Sequence, residues 1–305
     1  MTIFLQTFVN ALALGSLYGL IALGYTLVYG VLRFINFAHS DIFMIGAWIS
    51  FTFTGWLGWS TGAPAYALPV ILVLAMGFCA LLAVAIEQIA YKPLRKAPRL
   101  NVLITAIGVS LFLQNTGVLK QVFGTQPQRM PSLVNDHVMF TLAGVGVQFV
   151  DVLVVLLAGA LMLLLQWMVF RTRLGRAMRA VSFDERTASL MGINVNQVIS
   201  ITFGIGSALA AAAGLLYALK YGSLKQSADA TWVLLGLKAF VAAVIGGIGN
   251  VRGAVAGGVL IGFLEMYGAA YLSPHLKDVY VFVVLIGVLL VKPSGLFGKA
   301  VVEKV

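Results

Sequence analysis

The sequence predicts an all-α fold, a polytopic transmembrane helical bundle of about 8–10 spans that includes short or broken helices. Of its 305 residues, 61% are hydrophobic and only 10% are charged, and the mean hydropathy is +1.00. Soluble domains carry about 25% charged residues, so a soluble fold is excluded. The apolar residues form continuous runs instead of alternating with polar ones, which excludes a porin-type barrel.

Nine apolar runs are separated by turn residues and charges. At about 20 residues for each spanning helix, nine runs use nearly the whole chain. The runs 41–58 and 231–248 are short or glycine-rich, which predicts short helices there. The nine runs are 5–31, 41–58, 65–90, 101–123, 150–170, 196–220, 231–248, 253–272 and 277–292.

Lysine and arginine residues concentrate in a few connections between these runs. With Arg33 and Arg252 in two tight turns, 14 of the 20 basic residues fall on one side of the membrane. Cytoplasmic loops are enriched in these residues. That side, with the loops 91–101 and 171–197 and the C-terminus, is therefore predicted to be cytoplasmic. The other twelve are Lys92, Arg95, Lys96, Arg99, Arg171, Arg173, Arg176, Arg179, Arg186, Lys292, Lys299 and Lys304.

The stretches outside the membrane are too short to bury a core of their own. The outer stretch 124–149 contains two runs, 137–142 and 145–150, around Ala143-Gly144, which predicts a small β-hairpin. Phosphate-binding, metal-binding and nucleophile motifs are missing from the sequence. We therefore expect no enzyme activity, no cofactor and no metal site. Energy for uphill transport must come from a partner chain or an ion gradient.

The stretch 33–41 is a polar break between the first two apolar runs. Ser40 or Asp41 is placed to cap a helix that begins at Ile42. A broken helix inside the membrane exposes backbone dipoles that suit a zwitterionic solute, whereas the plainer alternative is a cytoplasmic turn. The candidate substrate-pathway residues are Asn36, His39, Ser40 and Asp41.

Glycines spaced by four residues occur in the first and eighth apolar runs. Such spacing lets helix backbones approach closely, which is the simplest interpretation. The alternative is that the glycine-rich break 245–253 is the second-half counterpart of the break at 33–41 in an internally repeated fold. The helix-packing candidates are Gly15, Gly19, Gly253, Gly257, Gly258 and Gly262.

Lys238 and Glu265 are charged residues within apolar runs. Charges at membrane depth are costly and face the protein interior or a water path. The two side chains could pair with each other, or extend towards an interface. Proton coupling through Glu265 is the alternative.

The loop 171–197 is long, amphipathic and basic at its start. Asp184 and Glu185 open a helical turn that Gly192 closes, and such a projecting helix suits the groove of a soluble partner. An interfacial helix lying on anionic lipid is the alternative. The acidic turn favours the protein partner because an anionic surface repels it.

Five motifs together carry a family resemblance. They are Gly24-Tyr-Thr-Leu-Val-Tyr-Gly30, Ile35-Asn-Phe-Ala-His-Ser-Asp41, Ala106-Ile-Gly-Val-Ser-Leu-Phe-Leu-Gln-Asn115, Ala243-Val-Ile-Gly-Gly-Ile-Gly249 and Pro293-Ser-Gly-Leu-Phe-Gly298. In combination they resemble permeases of branched-chain amino-acid ABC importers, closest to the H-type subunit, over nearly the whole chain.

The resemblance implies a single permease domain, 1–305, which forms part of a pathway for leucine, isoleucine and valine in a bacterial inner membrane. It implies these partners: a second homologous permease, two cytoplasmic ATPases, a periplasmic amino-acid-binding protein and membrane lipid, without nucleic acid. It also makes 171–197 the ATPase-coupling segment. The coupling candidates are Gly175, Arg176, Arg179, Asp184, Glu185, Ala188 and Gly192.

This sequence departs from the family pattern at two places. Arg186 and Thr187 replace the first two positions of the E-A-A-x-x-x-G motif, which leaves Ala188 and Gly192, and Ser40 stands where glycine is common. The alternatives that stay open are a related urea-type ABC permease, an ion-coupled secondary transporter that uses Glu265 or Asp41, and a membrane enzyme with His39 and Asp41 at its active site.

Overall fold

The structure is a computed structural model that describes residues 2–95, 97–142 and 144–298. Within these ranges the chain forms eleven α-helices. Three of the basic residues that were counted for the orientation lie outside the described residues, namely Lys96, Lys299 and Lys304. The helices are α1 (Thr2–Leu32), α2 (His39–Trp56), α3 (Ala67–Ile86), α4 (Arg99–Val118), α5 (Phe149–Arg171), α6 (Arg173–Phe183), α7 (Glu185–Leu190), α8 (Val195–Tyr221), α9 (Ala230–Gly246), α10 (Val251–Tyr271) and α11 (Lys277–Val291).

The predicted all-α polytopic fold is confirmed, because each of the nine apolar runs forms one helix. Seven described helical stretches are long and apolar enough to cross a membrane, namely α1, α3, α4, α5, α8, α10 and α11, the last counted together with the 3-10 turn Pro274–Leu276 that precedes it. The other two, α2 and α9, have 18 and 17 residues and occupy the runs predicted to be short. A π-helical turn, Glu87–Tyr91, and a 3-10 turn, Lys92–Leu94, extend α3.

The core lies where α1, α2, α8, α9 and α10 pack together. Nearly every residue of α1 from Ala11 to Val28 is buried. By contrast, α3, α4, α5 and α11 expose large apolar side chains such as Leu81, Leu164 and Val283. Such an outer layer is suited to lipid contact.

The glycine stripes bring helix backbones together, as the simpler interpretation predicted. A Cβ added at Gly15 would lie 2.8 Å from the Cα of Val259 on α10, and one at Gly262 would meet the backbone of Gly15. Gly19 and Gly258 face each other across the same crossing. On the other side of α10, Gly253 and Gly257 pack against the backbone of α9.

The described strands are short and lie between helices. The predicted hairpin is confirmed, because β2 (Val138–Leu142) pairs antiparallel with β3 (Val145–Gln148). A second antiparallel pair, β1 (Gln128–Arg129) with β4 (Ser223–Leu224), was not predicted. Its strands are only two residues long, too short for a period-2 pattern to reveal.

Basic connections gather at one end of the bundle. Arg33 bonds to Ser182 of α6, and Arg95 bonds to Asn196 at the start of α8. Arg179 and Arg252 both lie over the ring of Phe170. The opposite end carries other lysines, among them Lys220, whose Nζ lies 3.3 Å from the Oδ1 of Asn10 near the start of α1.

Candidate functional site

The polar break between α1 and α2 lies inside the bundle. Asn36, His39, Ser40 and Asp41 are all buried, and Asp41 is 0% exposed. The helix α2 that carries three of them packs against α8, α3 and α9. Neighbouring helices therefore cover the polar side chains of this stretch.

The prediction that Ser40 or Asp41 caps the helix is wrong. The helix α2 begins at His39, with Ala38 at the N-cap position and no side-chain cap. The backbone amides of Asp41 and Ile42 already donate to the carbonyl of Ala38. Ser40 and Asp41 therefore belong to the first helical turn, and their side chains bond elsewhere.

Asp41 points towards α4. Its Oδ1 accepts a hydrogen bond of 2.8 Å from the Nε2 of Gln114, which also lies 3.1 Å from the Oγ of Ser110. Its Oδ2 is buried and accepts no hydrogen bond from the described residues. A buried acceptor of this kind is costly to leave unpaired. Asp41 Oδ2 can therefore accept one further hydrogen bond from a solute or a water molecule.

Asn36 and His39 point in other directions. Asn36 Oδ1 accepts a 2.8 Å hydrogen bond from the hydroxyl of Tyr91 in the π-helical turn. His39 packs edge-on against Tyr25, with ring centroids 4.6 Å apart, and lies against Gly24 of α1. Both ring nitrogens of His39 are buried without a partner among the described residues.

Ser40 faces α9. Its hydroxyl donates to the carbonyl of Phe37 at 3.1 Å, and its Cα would lie 3.0 Å from a Cβ added at Gly236. The four predicted residues thus share one break but contact four different elements. Asp41 contacts α4 and Asn36 contacts the π-helical turn. His39 contacts α1 and Ser40 contacts α9. The break links four neighbouring elements, and any rearrangement of those elements changes its polar contacts.

The loop 171–197 forms two helices, α6 and α7. At the start of α6, Thr172 Oγ1 accepts from the amide of Gly175 at 3.1 Å. A Cβ at Gly175 would collide with the carbonyl of Val169, so the chain turns too tightly there for a larger residue. Arg179 donates to that same carbonyl, whereas Arg176 is exposed.

Asp184 is the N-cap of α7. Its Oδ1 accepts from the amides of Arg186 and Thr187, at 2.9 and 3.2 Å, and its Oδ2 accepts from the Thr187 hydroxyl at 2.6 Å. These hydrogen bonds, the Thr187 hydroxyl first, hold the pKa of Asp184 below its usual value. The cap is therefore ionised at neutral pH, and its contribution is lost only as the pH falls through that lowered pKa.

The helix pair α6–α7 buries one face and exposes an apolar tip. Ala188 packs with Met178, Val181 and Val198, and Gly192 closes the segment with φ +81°. Glu185 and Arg186 are exposed. The tip residues are Phe183, Leu190 and Met191, which are 88%, 81% and 78% exposed.

Lys238 and Glu265 form the predicted pair, at a distance of 2.7 Å between Nζ and Oε1. Two partners were missed. The hydroxyl of Tyr18 donates to Glu265 Oε2 at 2.7 Å, and Asp278 at the start of α11 forms a second ion pair with Lys238. This buried network joins α1, α9, α10 and α11.

The chain matches the family profile described as "Branched-chain amino acid transport system / permease component" over residues 7–289. It is 41% identical to the high-affinity branched-chain amino acid transport system permease protein BraD of Pseudomonas aeruginosa, over 99% of this chain and 98% of the relative. It is 42% identical to LivH of Escherichia coli, with the same coverage. No solved structure gives a significant match.

The chain belongs to this permease family. The resemblance seen in the sequence is therefore confirmed. A more distant relative, the probable branched-chain amino acid transport permease protein LivH of Methanocaldococcus jannaschii, is 28% identical over 95% of this chain. As a family member with seven described helices long enough to span a membrane, this permease is a multi-pass membrane transport protein.

Several polar residues of the permease were not singled out from its sequence. Ser110 and Gln114 lie in one of the motifs that carried the family resemblance, which was the available signal. Tyr91 was counted with a cytoplasmic loop, but the π-helical turn carries it into the bundle, where it is buried. Two further buried ion pairs were also missed. Asp151 and Lys220 pair although they are far apart in the chain, and Glu87 and Arg95 pair across the end of the apolar run 65–90.

Proposed function

We propose that this chain is a membrane subunit of an ATP-driven importer for leucine, isoleucine and valine. The near-full-length identity to branched-chain amino acid permeases supports the substrate class. The whole chain, 1–305, acts as one permease domain in a bacterial inner membrane, paired with a second homologous permease. A periplasmic binding protein delivers the substrate, and two separate ATPase subunits hydrolyse ATP.

The basic end of the bundle faces the cytoplasm in this proposal. Arg33, Arg95, Arg179 and Arg252 gather there with the coupling segment, as expected from the enrichment of basic residues on the cytoplasmic side. The loops 91–101 and 171–197 and the C-terminus then lie inside the cell.

The apolar tip of α6–α7 is the observation that carries the proposal. Phe183, Leu190 and Met191 protrude at the basic end of the bundle, where water, and not lipid, would surround them. Several exposed apolar side chains within one short segment mark a protein interaction site, and a short helix with apolar anchors fits a groove. We assign the groove to an ATPase subunit, with Gly175–Asn194 as the coupling segment.

Leu190→Asp is expected to weaken ATPase binding by at least about 30-fold, the effect of losing a central apolar anchor worth about 2 kcal/mol. The measurement is co-purification of candidate ATPase subunits with the permease in detergent. Val138→Asp is the matched control, because Val138 is 55% exposed on the hairpin at the opposite end. Equal ATPase binding by the Leu190 variant and the wild-type chain would contradict this docking site.

The break residues Asn36, His39, Ser40 and Asp41 form the gate of the transport pathway in this proposal. Their burial supports it, as do the Oδ2 of Asp41 and the imidazole of His39, which bond to no described residue, because such groups can exchange contacts with a zwitterionic solute. Selectivity belongs mainly to the binding protein, so the gate holds substrate weakly.

Asn36→Ala combined with His39→Ala is expected to lower leucine uptake several-fold for each assembled complex, since the pathway loses two polar contacts. Uptake into proteoliposomes is measured with the ATPase content fixed. Asn115→Ala serves as control, because Asn115 is an exposed residue of α4 that bonds only within its own helix. Unchanged uptake by the double variant would remove these residues from the gate.

An ion-coupled secondary transporter is the less supported alternative. Glu265, one of the two carboxylates named for ion coupling, is already held by Lys238 and Tyr18. A urea-type importer shares the architecture. Branched-chain amino acids are preferred over urea as the substrate because of the identity to branched-chain amino acid permeases.

A further inference from the structure

The coupling segment is joined to the end of α1 by two hydrogen bonds of one residue. The hydroxyl of Ser182 donates to the carbonyl of Gly30. The guanidinium of Arg33 donates back to the carbonyl of Ser182, with Nη2 and O 3.3 Å apart. Ser182 belongs to α6, and Arg33 is the first residue after α1.

These contacts complete the C-terminus of α1. The last turn of a helix leaves carbonyls without an internal partner, and Ser182 supplies a donor for one of them. Arg33 has φ +54°, a left-handed conformation that glycine normally supplies at a helix end. The end of α1 therefore adopts a conformation that its own sequence disfavours, and the coupling segment helps to hold it.

Little apolar packing accompanies these hydrogen bonds. Val31 packs against the small cluster that contains Met178, Val181 and Ala188. Beside it, a cavity of about 420 Å³ separates the two elements and is lined by Arg33, Ser182 and Glu185 among others. Movement of α6–α7 is thus transmitted to α1 through few contacts.

The break between α1 and α2 follows Arg33 immediately in the chain. Asn36 lies three residues beyond Arg33, and α2 begins at His39. We infer that Ser182 and Arg33 form a latch through which the coupling segment sets the position of the α1–α2 break. Both are positioning residues, and neither contacts the solute. The inference rests on the proposed function for its role in transport, but the latch itself is a property of the isolated chain.

Transport coupling provides the first test. Ser182→Ala and Arg33→Gly are compared with wild type in the assembled importer. Arg33→Gly keeps the left-handed turn and removes the whole side chain, including the guanidinium that donates to Ser182. Both variants are expected to bind ATPases and hydrolyse ATP normally, while leucine uptake for each ATP hydrolysed falls about fivefold, the effect of one lost hydrogen bond. Ser182→Thr, which keeps the hydroxyl, is expected to restore the ratio.

Ser60→Ala, at an exposed serine between α2 and α3 and outside the coupling segment, is the matched control and should leave the ratio unchanged. An unchanged ratio in both latch variants overturns the inference.

Hydrogen exchange on the isolated permease separates failure of the latch from failure of the proposed function. Ser182→Ala is expected to speed amide exchange in residues 30–36 about fivefold, and Ser182→Thr is expected not to. Unaltered exchange overturns the latch whether or not the chain transports. A chain that shows faster exchange but transports no amino acid keeps the latch and contradicts the proposed function.

Discussion

Replacing Lys238 with Met is expected to destabilise the fold by about 3–5 kcal/mol, the cost of removing one partner from a buried ion pair. Lys238 is 2% exposed and is the shared cation between Glu265 and Asp278. Its loss leaves Glu265 with the hydroxyl of Tyr18 as its one partner among the described residues. The free energy of unfolding, measured by denaturant titration in detergent micelles, gives the size of the loss.

Two further variants show whether the cost comes from the unpaired charge. Lys277→Met removes an exposed lysine on the neighbouring α11 and should change stability by less than about 1 kcal/mol. Adding Glu265→Gln to Lys238→Met removes the stranded carboxylate and should recover part of the loss. A Lys238 variant as stable as wild type would contradict the network.

Replacing Gly258 with Val is expected to separate α1 from α10. A Cβ at this position would lie 2.5 Å from the Cα of Gly19, so backbone must move, and no rotamer change relieves the contact. Overpacking a core costs about 1–3 kcal/mol, and a backbone clash at the central helix crossing places this variant at the upper end. The same denaturant titration measures it.

Gly287→Val is the matched control for the helix crossing. Gly287 is also a glycine in an apolar helix, but a Cβ there meets nothing within 4 Å. The substitution replaces glycine by a larger residue in both cases and differs only in what the side chain contacts. Equal losses from the two variants would mean that glycine content, and not close helix approach, explains the effect.

The spans and the hairpin were predictable because their signals are local. A continuous apolar run predicts a helix wherever it packs, and the nine runs match nine helices. The hairpin strands β2 and β3 could be predicted because a turn residue, Gly144, separates two strand-like runs. The spacing of Gly15 and Gly19 similarly predicted a helix contact, although not that α10 supplies the other side.

The partners of the buried polar groups could not be predicted because they depend on helix register in three dimensions. Ser40 and Asp41 have the composition of a helix cap, and a local interpretation places the helix start after them. Gln114 and Gly236, distant in the chain, instead accommodate them within the first turn. Asp278 was missed for the same reason, since only the packing of α11 brings it to Lys238.

Uptake of labelled leucine into proteoliposomes tests the central claim most directly. The chain is reconstituted alone, and with its second permease, two ATPases and the binding protein. The account predicts uptake only by the complete set, and only with ATP on the ATPase side. Uptake by the chain alone, driven by an ion gradient, would contradict it, and ATP-dependent uptake of urea in place of leucine would contradict the substrate.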